Sequence, residues 1–416
     1  MRIFSIFFYP SRKITFWGGA EKRFFEFLKF LDGTEVKITV ICPESPLEIS
    51  GKNIKKVVVK RPLKVESSSL MLNYLEWIIW SLKAAVTAFP LVLKGKPEML
   101  FSPNNTLPNL FPAFFLKIFC RKPLCVTVHH FDFISKENSA NFPFSLTKFF
   151  KNYRKVGYSL LISLLKALAS KLMLEILKKA DLFISVSEFT ASLLEKSGVG
   201  REKILVSGNG IDFRKISKIC KHSGKKIFDG VFVGRIAPEK GIYDLVDAWK
   251  KVIFKRREAF LAIIGEGPEL KNLRIKIKKL KLERKIHVFG GLPDEKMYKI
   301  LCRSRVFVFP SRFEGWGIAV AEALACGLPV ICYETPALKE VFGKCKSVFF
   351  VSKFNSEALA KKILLILENF DGKKFSRISR TFAKNLAWKN VFEKDVAFLR
   401  RFVEINKGKL NKEGKF

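Results

Sequence analysis

The chain has no Cys-x-x-Cys pair, no Asp-x-Asp, no internal repeat and no extended low-complexity tract. Its eight cysteines, Cys42, Cys120, Cys125, Cys220, Cys302, Cys326, Cys332 and Cys345, are scattered, several of them inside apolar runs. They read as reduced core residues, and neither a disulfide framework nor a zinc site is expected. Acidic residues are few, 38 against 76 Lys and Arg, which leaves a net charge of +38. Such an excess suits a polyanion, either nucleic acid or an anionic membrane surface. The 42 phenylalanines favour a plainer source, codon usage rich in Lys and Phe, because Phe has no part in counterion release. No leader peptide is expected: the apolar run Ile3 to Phe8 is short, follows one Arg and lacks a small-residue cleavage site.

A clean membrane span is lacking as well. Leu70 to Leu93 is long enough, but it holds Glu76, Lys83 and Pro90, and a central charge costs about 3 kcal/mol on insertion. Tyr158 to Leu177 carries Lys166, Lys171 and Glu175 and fails more clearly. Both read as buried or interfacial helices, with Trp77, Trp80 and the basic, Phe-rich Phe142 to Arg154 segment leaving room for contact with an anionic membrane surface.

What is present is organised around Val306 to Tyr333, VFVFPSRFEGWGIAVAEALACGLPVICY. Val306 to Phe309 and Val330 to Tyr333 are short continuous apolar runs, as expected of buried parallel strands. Between them a helix from about Gly317 to Cys326 has no polar face, yet contains Glu322. A helix apolar all round is buried, and a buried carboxylate needs a partner. Gly315 and Gly317 leave amides open at the helix N-terminus, where an anion is favoured. Glu314 on the loop and Glu322 in the helix could together clamp a polyol.

With its strand, glycines and Cys-Gly-Leu-Pro-Val ending, Glu314-x7-Glu322 resembles the nucleotide-sugar signature of glycosyltransferase family 4, the group 1 glycosyltransferases. The resemblance implies an α/β chain of two facing Rossmann-like domains, the glycosyltransferase B fold, with a C-terminal helix returning to the first domain. Its domains are expected at 1–214 on the acceptor side, a basic linker at 215–226, a nucleotide-sugar-binding domain at 227–386, a crossover helix at 387–405 and a frayed basic tail at 406–416.

Other segments match the same family. Gly18 and Gly19 lie at a helix entry and are similar to its N-terminal Gly-Gly loop, implied to face the donor diphosphate. Thr127-Val128-His129 resembles its strand-ending Thr-Val-His, with His130 where Asp is commoner; a metal site on the two histidines is disfavoured because strand neighbours point to opposite faces. Phe133 to Tyr158, without periodicity, is a candidate acceptor-binding loop. Strand Phe228 to Val233 leads into Gly234-Arg235-x4-Lys240-Gly241, where a planar fork and a point charge suit a diphosphate. Strands Leu261 to Ile264 and Ile286 to Phe289 lead into turns with Gly267 and with Gly291 and Leu292, which hold backbone close to a planar base. The basic stretch Leu270 to Lys285 reads as a solvated helix face, because it lacks the interleaved aromatics of a nucleic-acid patch.

The implied activity is transfer of a sugar from a UDP- or GDP-linked donor to a glycan or lipid-linked acceptor, in the cytoplasm or at its membrane face. No cofactor or metal is expected beyond the donor, and no nucleic acid. His129 is implied to contact the sugar near the reacting bond, Glu314 its hydroxyls and Glu322 the ribose diol. Arg235 and Lys240 would act on the leaving group, and Gly315, Trp316, Gly317 and Ile318 would lie against the donor. A nucleotide-sugar-binding protein without catalysis, a same-fold epimerase or phosphorylase, and a nucleic-acid-binding protein remain alternatives.

Overall fold

The computed structural model describes residues 1–9, 18–44, 49–63, 70–131, 145–156, 160–221 and 224–413. The chain forms two compact units, one holding Gly19–Gly208 with the N-terminal strand and the chain from Lys389 on, the other Asn209–Trp388.

The first unit is a parallel sheet of β1 (Arg2–Ile6), β2 (Lys37–Cys42), β3 (Ile54–Val58), β4 (Met99–Ser102), β5 (Leu124–Val128), β6 (Leu182–Ser185) and β7 (Ile204–Val206), ordered 3-2-1-4-5-6-7. Every residue of β4, β5 and β6 is buried, because helices cover both faces of a parallel sheet and leave no solvent side to alternate toward. The helices are α1 (Gly19–Asp32), α2 (Leu70–Gly95), α3 (Leu107–Cys120), α4 (Leu146–Val156), α5 (Leu160–Leu177) and α6 (Glu188–Lys196).

The second unit contains α7 (Phe213–Cys220), then β8 (Phe228–Val233), α8 (Ile242–Lys255), β9 (Leu261–Ile264), α9 (Leu270–Lys279), β10 (Ile286–Gly290) and α10 (Asp294–Cys302). It continues with β11 (Ser304–Phe309), α11 (Ile318–Ala325), β12 (Val330–Tyr333), α12 (Pro336–Phe342), β13 (Val348–Val351), α13 (Ser356–Glu368) and α14 (Gly372–Ala383). Its sheet runs 10-9-8-11-12-13, all parallel. The final helix, α15 (Trp388–Glu413), joins the first unit, where Phe392 packs 5.4 Å from Phe27 and 5.7 Å from Phe30. Both strand orders reverse once, beside β1 and β4 in the first sheet and beside β8 and β11 in the second. In open parallel sheets ligands bind past the carboxyl ends of the strands at such a reversal.

Three expectations need correction. The stretch 215–226 is no linker: the division falls between Gly208 and Asn209, and α7 packs within the second unit against α10 and α11. The Asp212 carboxylate caps α7 by accepting from the Lys215 amide at 2.9 Å, and its basic side chains surround a single buried Ile216. The tail does not fray at 406, since α15 runs to Glu413. Trp80 is fully buried and donates its indole N–H to the Val59 carbonyl at 2.9 Å, so it offers nothing to a membrane. Within the expected loop 133–158, residues 133–144 and 157–158 lie outside the described residues, and 146–156 is helix α4.

Candidate active site

The loops after β8 and β11, adjacent strands at the reversal, are tied together. The Arg312 amide donates to the Glu239 carbonyl at 2.8 Å. Gly241, at φ +67°, sits so close to the second loop that a Cβ there would lie 2.0 Å from the Pro310 carbonyl oxygen. Lys240 Nζ donates to Glu314 Oε1, and the Ser311 hydroxyl donates to the same oxygen at 2.8 Å. Arg312 forks onto Asp244 at 2.8 and 3.3 Å, and Tyr333 donates to that carboxylate at 3.0 Å, which anchors the β11 loop to α8. Arg235 is more than half exposed and pairs with Glu239 at its own loop's end. Two cations, each paired with its own carboxylate, thus stand at the carboxyl ends of two neighbouring strands.

Glu322 lies one helix deeper. It is buried within α11, and Tyr298 on α10 donates its phenol proton to Oε1 at 2.7 Å. Burial, reinforced by the Glu322 charge, holds the Tyr298 hydroxyl well above its ordinary pKa, so it stays a donor. Gly317 caps α11 at φ +99°, a left-handed conformation that favours glycine, and a Cβ there would press on Leu338. Trp316 is buried edge-on against Phe342 at 5.5 Å. Gly315 is buried in the same loop and Ile318 opens the helix, half-buried.

The glycines after β9 and β10 close the same end of the sheet. A Cβ on Gly267 would meet the Ile236 backbone at 2.4 Å, and one on Gly291 would meet Glu266 at 3.1 Å. Gly234 lies against Gly265, whose own Cβ position is 1.9 Å from the Gly234 carbonyl oxygen. Leu292 follows, half-buried. The loops after β8 and β11 thus carry Gly234, Arg235, Lys240, Glu314, Gly315, Trp316 and Gly317, with Ile318 and Glu322 on α11 and Gly267, Gly291 and Leu292 on the turns after β9 and β10.

His129 and Gly19 belong to the first unit, while Gly18 is grouped with the second. Gly19 opens α1 and Gly18 precedes it, both exposed; the loop at 10–17 lies outside the described residues. His129 follows β5 in the first unit, buried, with Nε2 3.1 Å from the Pro103 carbonyl oxygen at the end of β4. Burial, and then the Arg23 charge, push its pKa down from 6.5 to about 3, so the ring is neutral at neutral pH. Nε2 then carries the proton that it donates to Pro103.

Sequence reasoning missed several partners. Ser311 stands three residues before Glu314, a Ser-x-x-Glu spacing that signals a local side-chain bond. Nothing local couples Tyr298 to Glu322, or Arg23 to Asp395, which form a buried ion pair at 2.7 Å across 372 residues. The expectation that every cysteine is reduced is corrected too. Cys220 and Cys302, separated by 82 residues, form a disulfide with Cα atoms 5.6 Å apart, because each ends a helix of the packed pair α7 and α10. The Cys326 sulfur lies within 4.8 Å of both.

Two family models tile the chain: Glycosyltransferase Family 4 matches residues 17–215, and Glycosyl transferases group 1 matches residues 213–382. An uncharacterized glycosyltransferase of Methanocaldococcus jannaschii is 30% identical over 274 residues, covering 58% of this chain and 65% of its own length. The N-acetylgalactosamine-N,N'-diacetylbacillosaminyl-diphospho-undecaprenol 4-alpha-N-acetylgalactosaminyltransferase of Campylobacter jejuni is 28% identical over 207 residues, 49% of this chain and 55% of that protein. The chain spans about half the length of the first curated relatives it matches, 48% for each. Among solved structures, Anabaena HepE in complex with UDP-glucose superposes with a TM-score of 0.68 at 17% identity, over 96% of this chain and 100% of that one, which shows a shared fold.

Proposed function

We propose, from the premise that the chain belongs to the family 4, group 1 glycosyltransferases, whose two models together span residues 17–382, that it moves a hexose-type sugar from a UDP- or GDP-linked donor to a glycan or lipid-linked acceptor, with retention at the anomeric carbon and without a divalent metal. The observation that carries the reading is the meeting of Lys240 with Glu314 between the loops after β8 and β11, with Glu322 held by Tyr298 in the helix that follows.

Breaking the bond from the anomeric carbon to the diphosphate leaves its electron pair on the phosphate oxygen, while the sugar becomes electron-poor. In this reading Arg235 and Lys240 exchange their present carboxylate partners for the diphosphate, and the first-turn amides of α11 add their share. Glu314, released from Lys240, takes sugar hydroxyls, and Glu322 takes the ribose diol. The acceptor oxygen bonds to the anomeric carbon as the bond to the diphosphate breaks, and its proton passes to the departing phosphate oxygen. His129, being neutral, serves as a hydrogen-bonding group to the sugar rather than as an acid. The metal-free part of the reading rests on the lack of any Asp-x-Asp in the sequence, with Arg235 and Lys240 taking the part of the metal cation. Retention rests on the family alone. The lipid-linked class of acceptor draws on the diphospho-undecaprenol named for the Campylobacter relative, and uridine on the HepE complex. A cytoplasmic place of action is part of the proposal.

Calorimetric titration of UDP- and GDP-sugars in EDTA tests the donor side. At least one should bind, and Glu322→Gln should weaken it by about tenfold or more, the loss of a charged hydrogen bond. Absence of binding across the panel, or binding that appears only with Mg²⁺ or Mn²⁺, would contradict the reading.

A further inference from the structure

We propose that the first unit seats on an anionic bilayer surface through an outward apolar face built by α2, α3 and α5. The argument begins with α2, whose inward stripe Trp80, Ala84, Ala88 and Val92 recurs every four residues and is fully buried. Its outward stripe is made of larger apolar residues: Leu75, Leu82 and Val86 are 50%, 51% and 71% exposed. The pattern repeats on α5, where Ala167, Leu174 and Leu177 face inward while Leu164, Leu168 and Leu172 are each more than two-fifths exposed. α3 touches both helices and adds Phe119, 60% exposed. Helices apolar on both faces belong in a deep core or against lipid, and among the described residues the outward stripes of α2 and α5 stay exposed although α3 packs beside both and α4 on α5.

The charges beside this face specify the occupant. α4 packs on α5 and exposes Lys148, Lys151 and Arg154. A groove between α2 and the sheet-edge strand β3, walled by Val58, Leu82 and Val86, is flanked by Lys60 and Lys83. Among the described residues of α2, α3, α4 and α5 the acids are Glu76, which is buried, and Glu175, which is held between Lys171 and Lys178. An apolar face rimmed by cations fits acyl chains below anionic headgroups. A second copy of the same face would set like charges together. A full crossing does not fit either, because the Trp80 stripe holds α2 along the unit; the contact is one-sided, in the plane of a leaflet.

The surface bears on a lipid-linked acceptor only if the transferase reading holds, but it can be measured alone. The full chain is floated with vesicles of phosphatidylcholine, with and without phosphatidylglycerol, at low salt and with neither donor nor acceptor. Association with the anionic vesicles should exceed that with neutral ones by about tenfold or more. Leu82→Glu with Leu168→Glu should abolish it while far-UV circular dichroism and melting stay those of the parent. Lys148→Glu with Lys151→Glu, which alters no packed residue, should reduce it, and Phe254→Glu on the second unit should leave it unchanged. Equal association by the parent and the leucine variant would overturn the proposal. So would a concentration-dependent dimer, dispersed by the same substitutions, in a chain that binds no vesicles. Failure here leaves sugar transfer standing, and failure of sugar transfer leaves the surface standing.

Discussion

Tyr298→Phe deletes one oxygen and leaves everything else in place, so it isolates what holds Glu322 in an apolar helix. The carboxylate loses the phenol proton it accepts at 2.7 Å. Removing one hydrogen bond to a buried charge costs about 1–3 kcal/mol, to be read from urea denaturation. Unchanged stability would mean that the pair contributes nothing. His129 makes a second prediction. Its pKa falls on folding, from 6.5 to about 3, so between those values the unfolded chain binds the extra proton. The stability from keeping this ring neutral is therefore complete above pH 6.5 and is lost as pH falls toward 3. Relative to His129→Asn, the parent's melting temperature should drop more steeply over that window. Parallel profiles would contradict the assignment. Of these two residues, the sequence disclosed that Glu322 needs a partner, but its partner lies 24 residues away on another helix and has no spacing signal.

Elements were legible where burial is complete on both faces. β9 and β12 fall on continuous apolar runs, β4, β5 and β8 on runs broken only by Ser102, Thr127 and Asp229-Gly230, and α11 was marked by Gly317 and Gly327 to within a residue. α7 was missed although Phe213, Ile216, Ile219 and Cys220 recur at helical spacing, because their basic neighbours read as a linker. α2 and α5 read as buried or interfacial because their outward leucines repeat as regularly as their inward ones, and a sequence does not say which face meets protein. The loop pair after β8 and β11 was legible as motifs, but its mutual contact was not. Gly241→Ala probes that contact: at φ +67° a side chain is strained by about 1 kcal/mol, and its Cβ would collide with Pro310. Separating the loops should pull Lys240 from Glu314 and weaken nucleotide-sugar binding by about tenfold or more. Donor affinity equal to the parent's, by calorimetry, would show that the loops act independently.

For the whole molecule, charge and composition pointed to a polyanion without choosing one, and the folded first unit supplies what composition lacks, an apolar face beside the cations. The return of α15 to that unit, with Asp395 meeting Arg23, was foreseen only as a helix returning; the ion pair across 372 residues was out of reach. The central claim is that Lys240, Arg235, Glu314 and Glu322 together make a sugar-transfer site in the second unit. Its most direct measurement follows radiolabel from a panel of nucleoside-diphosphate sugars into lipid, protein and oligosaccharide acceptors, in EDTA, for the parent chain, Arg235→Ala and Lys240→Ala. The account predicts transfer by the parent from at least one donor, and turnover lower by about two orders of magnitude or more in both variants with the fold intact. A folded parent that transfers no label from any donor, or either variant turning over at the parent's rate, would contradict it.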